Sequence, residues 1–304
     1  MIRTTLALTV LVIGLAGCAI ESPPAHHRTA SMSPSPAPNA PIPATTEVRK
    51  RSISVNGVNL SIVEAGTGDP IIFVHGVVTT SHIFPKYLHA YSPDFRGIAV
   101  DLRGYGDSEK PATGFTIQQF SKDLIALADR LGIQRPVWVG VSMGGMILQQ
   151  LALDYPDRVR ALVLVSTTDG AMVLDKDLPT IGNPRDYREV SQQILVESFP
   201  PGTPPALYQP LLDRISTWNG TVLREALTSM AQANVHDRIN RITAPTLVMV
   251  GVKDDVATPA IARGIQSQIP GAQLVEFNTG HFMMAEDPDR FRLVLGEFLR
   301  GLKK

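Results

Sequence analysis

A serine lies between two glycines directly after an apolar run in the middle of the chain. The run covers 136–139, and Gly-Val-Ser-Met-Gly follows at 140–144, with Ser142 at its centre. A nucleophilic serine must stand on a sharp turn from strand to helix, where the positions two before and two after it have almost no room for a side chain. The helix expected from Met143 to about 155 directs free N–H groups and its positive dipole end toward charge developing near Ser142. The spacing therefore predicts a nucleophile at Ser142.

Two later strand-like runs end in residues that complete the chemistry. Residues 245–250 lead into the loop that holds Asp254, and 272–277 lead into Asn-Thr-Gly-His, which ends at His281. An imidazole titrates near neutral pH and can remove the serine proton, while a carboxylate fixes the other ring nitrogen and stabilises the imidazolium. The order is thus a serine, an acid, preferably Asp254, and a histidine, each just past the C-terminal end of a predicted strand.

These motifs resemble the α/β-hydrolase fold family over residues 48–304. The matching motifs are His-Gly at 75–76, Asp-Leu-Arg-Gly-Tyr-Gly-Asp-Ser at 101–108, Gly-Val-Ser-Met-Gly-Gly at 140–145, Gly-Val-Lys-Asp at 251–254 and Gly-His at 280–281. The family's triad follows the same chain order. The resemblance implies an oxyanion hole made by the backbone N–H groups of Val77 and Met143, with no metal and no organic cofactor. Haloalkane dehalogenases and epoxide hydrolases of the family carry aspartate at the elbow, so the serine predicts a different chemistry.

The resemblance leaves the acid open among three aspartates. Asp254 stands three residues after Gly251, as in members with Gly-x-x-Asp. Asp255 directly precedes Val-Ala-Thr-Pro, and members with an Asp-Val-Ala-Thr-Pro run favour that position. Some members place the acid at the end of the sixth strand, where this chain has Asp169. We expect Asp254 and keep Asp255 and Asp169 as alternatives.

The elements that must position these residues alternate between apolar strands and amphipathic helices. Asn-Gly at 56–57 separates strand-like runs at 52–55 and 58–63, a strong hairpin signal. Further strands are predicted at 71–74, 97–101, 137–141, 161–165, 246–250 and 273–277, and the clearest helices at 117–131, 143–155, 260–269 and 288–302. Continuous Val, Ile and Leu runs indicate strands covered on both faces. The fold class is therefore α/β, a mostly parallel sheet with an antiparallel hairpin at its start.

The alternation breaks between about 168 and 242. Three segments there have helical spacing, at 187–199, 206–218 and 221–233, and 199–205 is rich in proline. The resemblance implies that this interval, inserted after the sixth strand, is a helical cap over the active site. A cap excludes water and shapes the substrate pocket. The alternative is a peripheral insertion away from the site.

Several polar residues have structural rather than chemical interpretations. The His75 ring is expected to anchor the oxyanion loop. Asp101 and Arg103 are expected to hold the loop that follows a strand. No supporting motif accompanies His82, His89 or His236.

Composition limits the function classes. With 44% hydrophobic and 18% charged residues, the 304-residue chain can bury a sizeable core, enough for one α/β domain with an insertion. Lys plus Arg equals Asp plus Glu at 28 each, so no long-range field favours nucleic acid. The single cysteine excludes an intramolecular disulfide framework, and the absence of Cys/His clusters argues against structural zinc.

The N-terminal residues predict export and anchoring. Residues 1–17 combine a basic start with a short apolar stretch, as in a secretory signal, and Leu-Ala-Gly-Cys at 15–18 resembles the lipobox of bacterial lipoproteins. The resemblance implies a lipidated Cys18 as the first mature residue, anchored to the cell envelope by several acyl chains. Ala19, rather than aspartate, favours the outer membrane in a Gram-negative organism. Residues 18–47, rich in Pro, Ser and Ala, predict an extended tether. The alternative is an ordinary cleaved signal with an incidental cysteine.

The combined prediction is a serine hydrolase that cleaves small or medium carboxylic esters, including lactones, through an acyl-enzyme. C–C bond hydrolases, prolyl-type peptidases and cofactor-free perhydrolases use very similar triads on this fold and stay open as alternatives. An alternative of another class is a membrane-tethered binding lipoprotein with little turnover. Against it stands the complete set of Ser142, His281 and an acid. The sequence determines neither the substrate nor the oligomeric state.

Overall fold

In the described part of the chain, eight strands form one sheet. The computed structural model describes residues 47–91, 94–170, 184–215 and 220–302, so the predicted signal peptide, Cys18 and nearly all of the predicted tether lie outside the described residues. The strands are β1 (Arg49–Val55), β2 (Val58–Ala65), β3 (Asp69–Val74), β4 (Phe95–Val100), β5 (Val137–Val141), β6 (Ala161–Val165), β7 (Thr246–Gly251) and β8 (Gln273–Phe277). Their order across the sheet is β1-β2-β4-β3-β5-β6-β7-β8.

The sheet starts antiparallel and continues parallel. β1 pairs antiparallel with β2, and β2 with β4, whereas every pair from β4 through β3 to β8 is parallel. Asn56 and Gly57, both with positive φ (45° and 77°), join β1 to β2. Positive φ at both central residues is typical of the tight hairpin turn that matches strand twist. The predicted hairpin and the predicted mostly parallel sheet are both confirmed.

Helices cover the two faces of the sheet and connect its parallel strands. They are α1 (Pro85–Tyr91), α2 (Ile117–Arg130), α3 (Met143–Asp154), α4 (Pro184–Glu197), α5 (Pro205–Ile215), α6 (Gly220–Gln232), α7 (Pro259–Gln268), α8 (Met283–Glu286) and α9 (Pro288–Gly301). Every residue of β5 and β6 is buried, as their unbroken apolar runs predict. The side chains at the N-caps of α2 and α7, Thr116 and Thr258, accept backbone N–H groups of the first turn and fix where these helices begin.

Three helices, α4 to α6, lie in the described part of the interval between β6 and β7. α4 packs against both α5 and α6, so the three form one layer beside the sheet. Apolar side chains of this layer, including Leu195, Leu227 and Met230, are buried. This layer is the predicted cap, and its position after the sixth strand is confirmed.

The described residues contain neither a helix able to span a membrane nor a cluster of metal-ligating side chains. Among residues 47–302, leaving out the gaps, no helix combines the length and apolarity that crossing a bilayer requires. The same residues contain no group of three or more His, Cys, Asp or Glu side chains arranged to hold a metal ion.

Candidate active site

Ser142 occupies the sharp turn between β5 and α3. Its backbone has φ 53° and ψ −118°, a conformation that residues with a side chain rarely adopt. A Cβ added to Gly140 would lie 2.6 Å from the backbone of Gly144, and one added to Gly144 would lie 2.4 Å from the carbonyl oxygen of Val74. Both contacts are shorter than atoms allow, so the turn requires glycine at these two positions.

His281 and Asp254 form a buried pair at the ends of two neighbouring strands. The His281 Nδ1 lies 2.8 Å from the Asp254 Oδ2, and the two side chains are 5% and 0% exposed. The other carboxylate oxygen, Oδ1, accepts the backbone N–H groups of Val256 at 3.0 Å and Ala257 at 2.9 Å. Of the three candidate aspartates, Asp254 is the one that contacts His281. Its carboxylate is held by its own loop while it holds the ring.

Burial and charge act on the pKa of His281 in opposite directions. Burial alone would lower the pKa of His281, but the charge of Asp254 and its hydrogen bond outweigh burial and raise the pKa above its ordinary value. The neutral ring donates Nδ1–H to the carboxylate, which leaves the Nε2 lone pair as a proton acceptor. The pair is therefore arranged as a general base.

Ser142 and His281 line one cavity, hereafter the main cavity, of about 710 Å³. This volume lies in the range of small-molecule sites. The cap contributes apolar side chains to the same cavity, among them Ile194, Phe199, Tyr208, Leu227 and Met230. Since the cap and the serine share a cavity, the alternative of a peripheral insertion is wrong. Asp255, the second candidate acid, lines the main cavity and acts on His281 through its charge, but among the described residues Asp254 alone holds the ring by a hydrogen bond.

The loop after β3 lies against the nucleophile. Val77 lines the main cavity, and a Cβ on Gly76 would be 3.2 Å from the Cβ of Ser142. Met143 is the first residue of α3, so its N–H has no acceptor within the helix. The two residues predicted to form the oxyanion hole thus flank Ser142 on two sides.

His75 anchors that loop from inside the protein. Its Nε2 accepts the Leu102 N–H at 3.1 Å, so the ring proton sits on Nδ1, which donates to the Gly76 carbonyl at 2.8 Å. Burial lowers the pKa of His75, and the ring is neutral. The structural interpretation of His75 is confirmed.

Asp101 and Arg103 hold the loop that follows β4. The Asp101 carboxylate accepts the backbone N–H groups of Ser81 at 2.7 Å and Asp107 at 3.0 Å. Arg103 pairs with the buried carboxylate of Asp123 through two hydrogen bonds. None of these polar groups lines the main cavity in the described part of the chain, and their predicted role in holding the loop is confirmed.

The cap contacts the histidine loop directly, and sequence reasoning did not find this contact. The backbone N–H of His281 donates to the Ser198 carbonyl at 3.2 Å. Phe199 stacks on Phe282, with ring centroids 5.1 Å apart and planes 26° apart. A Cβ on Gly280 would lie 2.5 Å from the Pro200 side chain. The chain entering the proline-rich stretch is therefore part of the support of the base.

A second acid–imidazole pair lies at the neck of the cap, the place near Asp169 and Val235 where the chain enters and leaves the cap. The Nδ1 of His236 is 2.8 Å from the Asp169 Oδ2, and the side chains are 56% and 11% exposed. The Val235 N–H also donates to the Asp169 carbonyl at 2.9 Å. Asp169, the third candidate acid, thus contacts His236 rather than His281. His236, for which the sequence shows no supporting motif, does have a partner, although neither residue is among the described residues lining the main cavity.

Comparisons with known proteins agree with this fold. The family model for the alpha/beta hydrolase fold matches residues 69–195. The solved structure of Est816, described as an N-acyl homoserine lactone degrading enzyme, is 30% identical, covers 82% of this chain and all of its own, and has a TM-score of 0.74. The 3-oxoadipate enol-lactonase 2 of Acinetobacter baylyi is 24% identical over 80% of this chain and 93% of its own length.

One relative that matches only part of the chain is named for a different reaction. Epoxide hydrolase 2 of Siraitia grosvenorii is 34% identical over 130 residues, which are 40% of this chain and 39% of that protein. The Est816 match, by contrast, extends over that protein's full length. By fold, by full-length similarity and by its serine elbow, the chain is a hydrolase that belongs to the α/β-hydrolase fold family.

Proposed function

We propose that this protein is a serine hydrolase that cleaves carboxylic esters, lactones among them, through an acyl-enzyme. The observation that carries the proposal is the buried hydrogen bond from His281 to Asp254, on the edge of the cavity into which the Ser142 turn projects. Lactone substrates have separate support, since two relatives that match over nearly their whole length are named for lactones. Serine at the elbow favours an acyl-enzyme over epoxide opening.

Each group has a defined step in this reaction. His281 Nε2 takes the proton from Ser142 Oγ, which attacks the ester carbonyl carbon. The N–H groups of Val77 and Met143 stabilise the oxyanion, each contributing about 3 kcal/mol in the transition state. His281 returns its proton to the leaving alcohol as the C–O bond breaks. Water then attacks the acyl-enzyme by the same path and releases the acid.

Active-site labelling of the full-length protein tests this proposal. We expect a fluorophosphonate to modify Ser142, as mapped by mass spectrometry of peptides, and p-nitrophenyl acetate and butyrate to turn over. Homoserine lactones with short and long acyl chains test the lactone arm. Ser142→Ala is the control and must lose both labelling and turnover. A folded protein that neither labels nor turns over would support the binding lipoprotein instead.

We also propose that the protein is exported and anchored in the bacterial cell envelope through a lipidated Cys18, in the outer membrane if the organism is Gram-negative. The support is the sequence alone: the apolar stretch within 1–17, the Leu-Ala-Gly-Cys ending and the polar tether that follows. Cells expressing the full chain should incorporate labelled palmitate and hold the protein in the membrane fraction. Cys18→Ala should lose both signals, and a wild-type protein without label would contradict the anchor.

A further inference from the structure

Phe282 is shared by two cavities. It lines the main cavity, and it also lines a second cavity of about 320 Å³ between the start of the cap helix α5 and the segment around α1. The Phe282 side chain is buried, with its residue only 3% exposed. The second cavity therefore begins at a residue that already belongs to the proposed active site.

The second cavity is apolar along most of its wall. Residues of three separate elements form it, including Ile83, Leu207, Pro210, Leu211 and Met284. Two basic residues also line it, His82 and Lys86. Burial, with the nearby charge of Arg214, lowers the pKa of His82 and favours its neutral form. A hydrocarbon group fits this lining, because apolar surface moved out of water is stabilised.

The dividing side chain stands beside the general base. The Phe282 ring meets the His281 ring edge-on, with centroids 5.3 Å apart. Its other neighbour is Phe199 of the cap, which stacks on it. A substrate whose carbonyl lies at Ser142 and His281 therefore has Phe282 within a few bonds of the reacting carbon.

We infer that the second cavity is the distal part of the substrate site and takes the hydrocarbon tail of a long-chain ester, with Phe282 as the specificity-determining wall. This inference rests on the proposed function and names a substrate class for it. Each methylene buried there is worth roughly fourfold in kcat/KM. Chain-length preference is then set by the far wall of the second cavity and by the size of residue 282.

Two substitutions change the second cavity from opposite ends. Leu211→Trp fills it from the cap, away from His281, and Phe282→Leu opens its entrance. We expect Leu211→Trp to lower kcat/KM for p-nitrophenyl dodecanoate about tenfold relative to its effect on the acetate, the equivalent of between one and two methylenes. Phe282→Leu should raise kcat/KM for the dodecanoate relative to the acetate. The double variant should not show this increase. Dividing variant by wild type at each chain length removes differences in substrate partitioning.

The matched control is Gln209→Trp, which adds the same bulk to the same helix at an exposed position that lines neither cavity. It should leave the chain-length profile unchanged. A parallel series of alkyl acetates shows whether the tail belongs to the acyl or the alcohol side of the ester. If Leu211→Trp changes no ratio in either series, in either background, the second cavity is not part of the substrate site.

Binding provides a readout that does not depend on turnover. In the Ser142→Ala background, calorimetry should show that Leu211→Trp weakens dodecanoate binding about tenfold and leaves butyrate binding unchanged. Equal effects on both acids would overturn the inference. Loss of ester turnover in the wild type, with these binding results intact, would instead count against the proposed function alone.

Discussion

Two acid–imidazole pairs in the described part of the chain have the same contact distance and different surroundings. In each, a histidine Nδ1 lies 2.8 Å from an aspartate Oδ2, at His281–Asp254 and at His236–Asp169. The His281 side chain is 5% exposed and that of His236 is 56% exposed. Distance alone therefore does not identify the catalytic pair.

Burial and neighbours separate the two pairs. Water screens His236, whereas an imidazolium at His281 would depend on Asp254 for its stabilisation. Asp254 also accepts two backbone N–H groups, which prevent its carboxylate from turning away. An orienting acid therefore needs its own support and exclusion from water, in addition to a short hydrogen bond.

Removing the charge of each acid should separate the two pairs most strongly. We expect Asp254→Asn to lower kcat about 10⁴-fold, because the amide favours the wrong imidazole tautomer and does not stabilise the imidazolium. Asp169→Asn should leave kcat within about twofold, because neither Asp169 nor His236 lines the main cavity. Steady-state ester hydrolysis measures both. Comparable losses in the two variants would move the second pair into the catalytic machinery.

Stability should separate the pairs next. Asp254→Ala leaves a buried imidazole and two backbone N–H groups without their acceptor, and we expect a loss of about 3 kcal/mol in the free energy of unfolding. Asp169→Ala should cost at most about 1 kcal/mol. Urea unfolding followed by circular dichroism gives both values. Equal losses in the free energy of unfolding would show that burial does not determine how much these contacts stabilise the protein.

The two pairs should also differ in their effect on the pH dependence of catalysis. His281 must be neutral to act as a base, so kcat/KM should rise as pH increases through its pKa, with a midpoint above the ordinary histidine value of about 6.5. In Asp254→Asn only the smaller effects of the Asp255 and Glu286 charges still oppose burial, so the pKa of His281 should fall, as NMR titration of the ring would show. Asp169→Asn should not move it. A midpoint that stays in place in Asp254→Asn would exclude Asp254 as the cause of the shift.

The smallest effect is expected at the exposed histidine. His236→Gln keeps a hydrogen-bonding side chain of similar length, so the free energy of unfolding should change by less than about 0.5 kcal/mol, and less still at high salt. Unfolding at two salt concentrations tests this. A larger, salt-independent loss would mean that the neck of the cap depends on this pair.

Local patterns were enough to predict the sheet and the elbow. The apolar runs of β5 and β6 match their predicted bounds, because continuous burial on both faces leaves a clear pattern. The requirement for glycine at 140 and 144 also follows from backbone geometry within one turn. Helix α1, only 7 residues long, went unpredicted since so short a segment shows little periodicity.

Long-range contacts were beyond the reach of the sequence. Asp254 and Asp255 are neighbours, and only the path of their loop decides which carboxylate faces His281. His236 and Asp169 are 67 residues apart, on either side of the cap. The contact between Ser198 and His281 likewise joins two loops that carry no shared motif. The sequence therefore identifies the candidate residues, whereas their contacts depend on the fold of the whole chain.

The hydrogen bond from His281 to the Ser198 carbonyl has a consequence for exchanging caps between relatives. A cap joined only at the neck, near Asp169 and Val235, would replace the acceptor of the His281 N–H and the proline that packs on Gly280. Such a chimaera would change its substrate pocket and, at the same time, the contacts that hold the general base His281. A graft that retains residues 198–200 would change the pocket and leave the support of His281 in place. That short segment is therefore the practical boundary between the part of this enzyme that can be exchanged and the part that cannot.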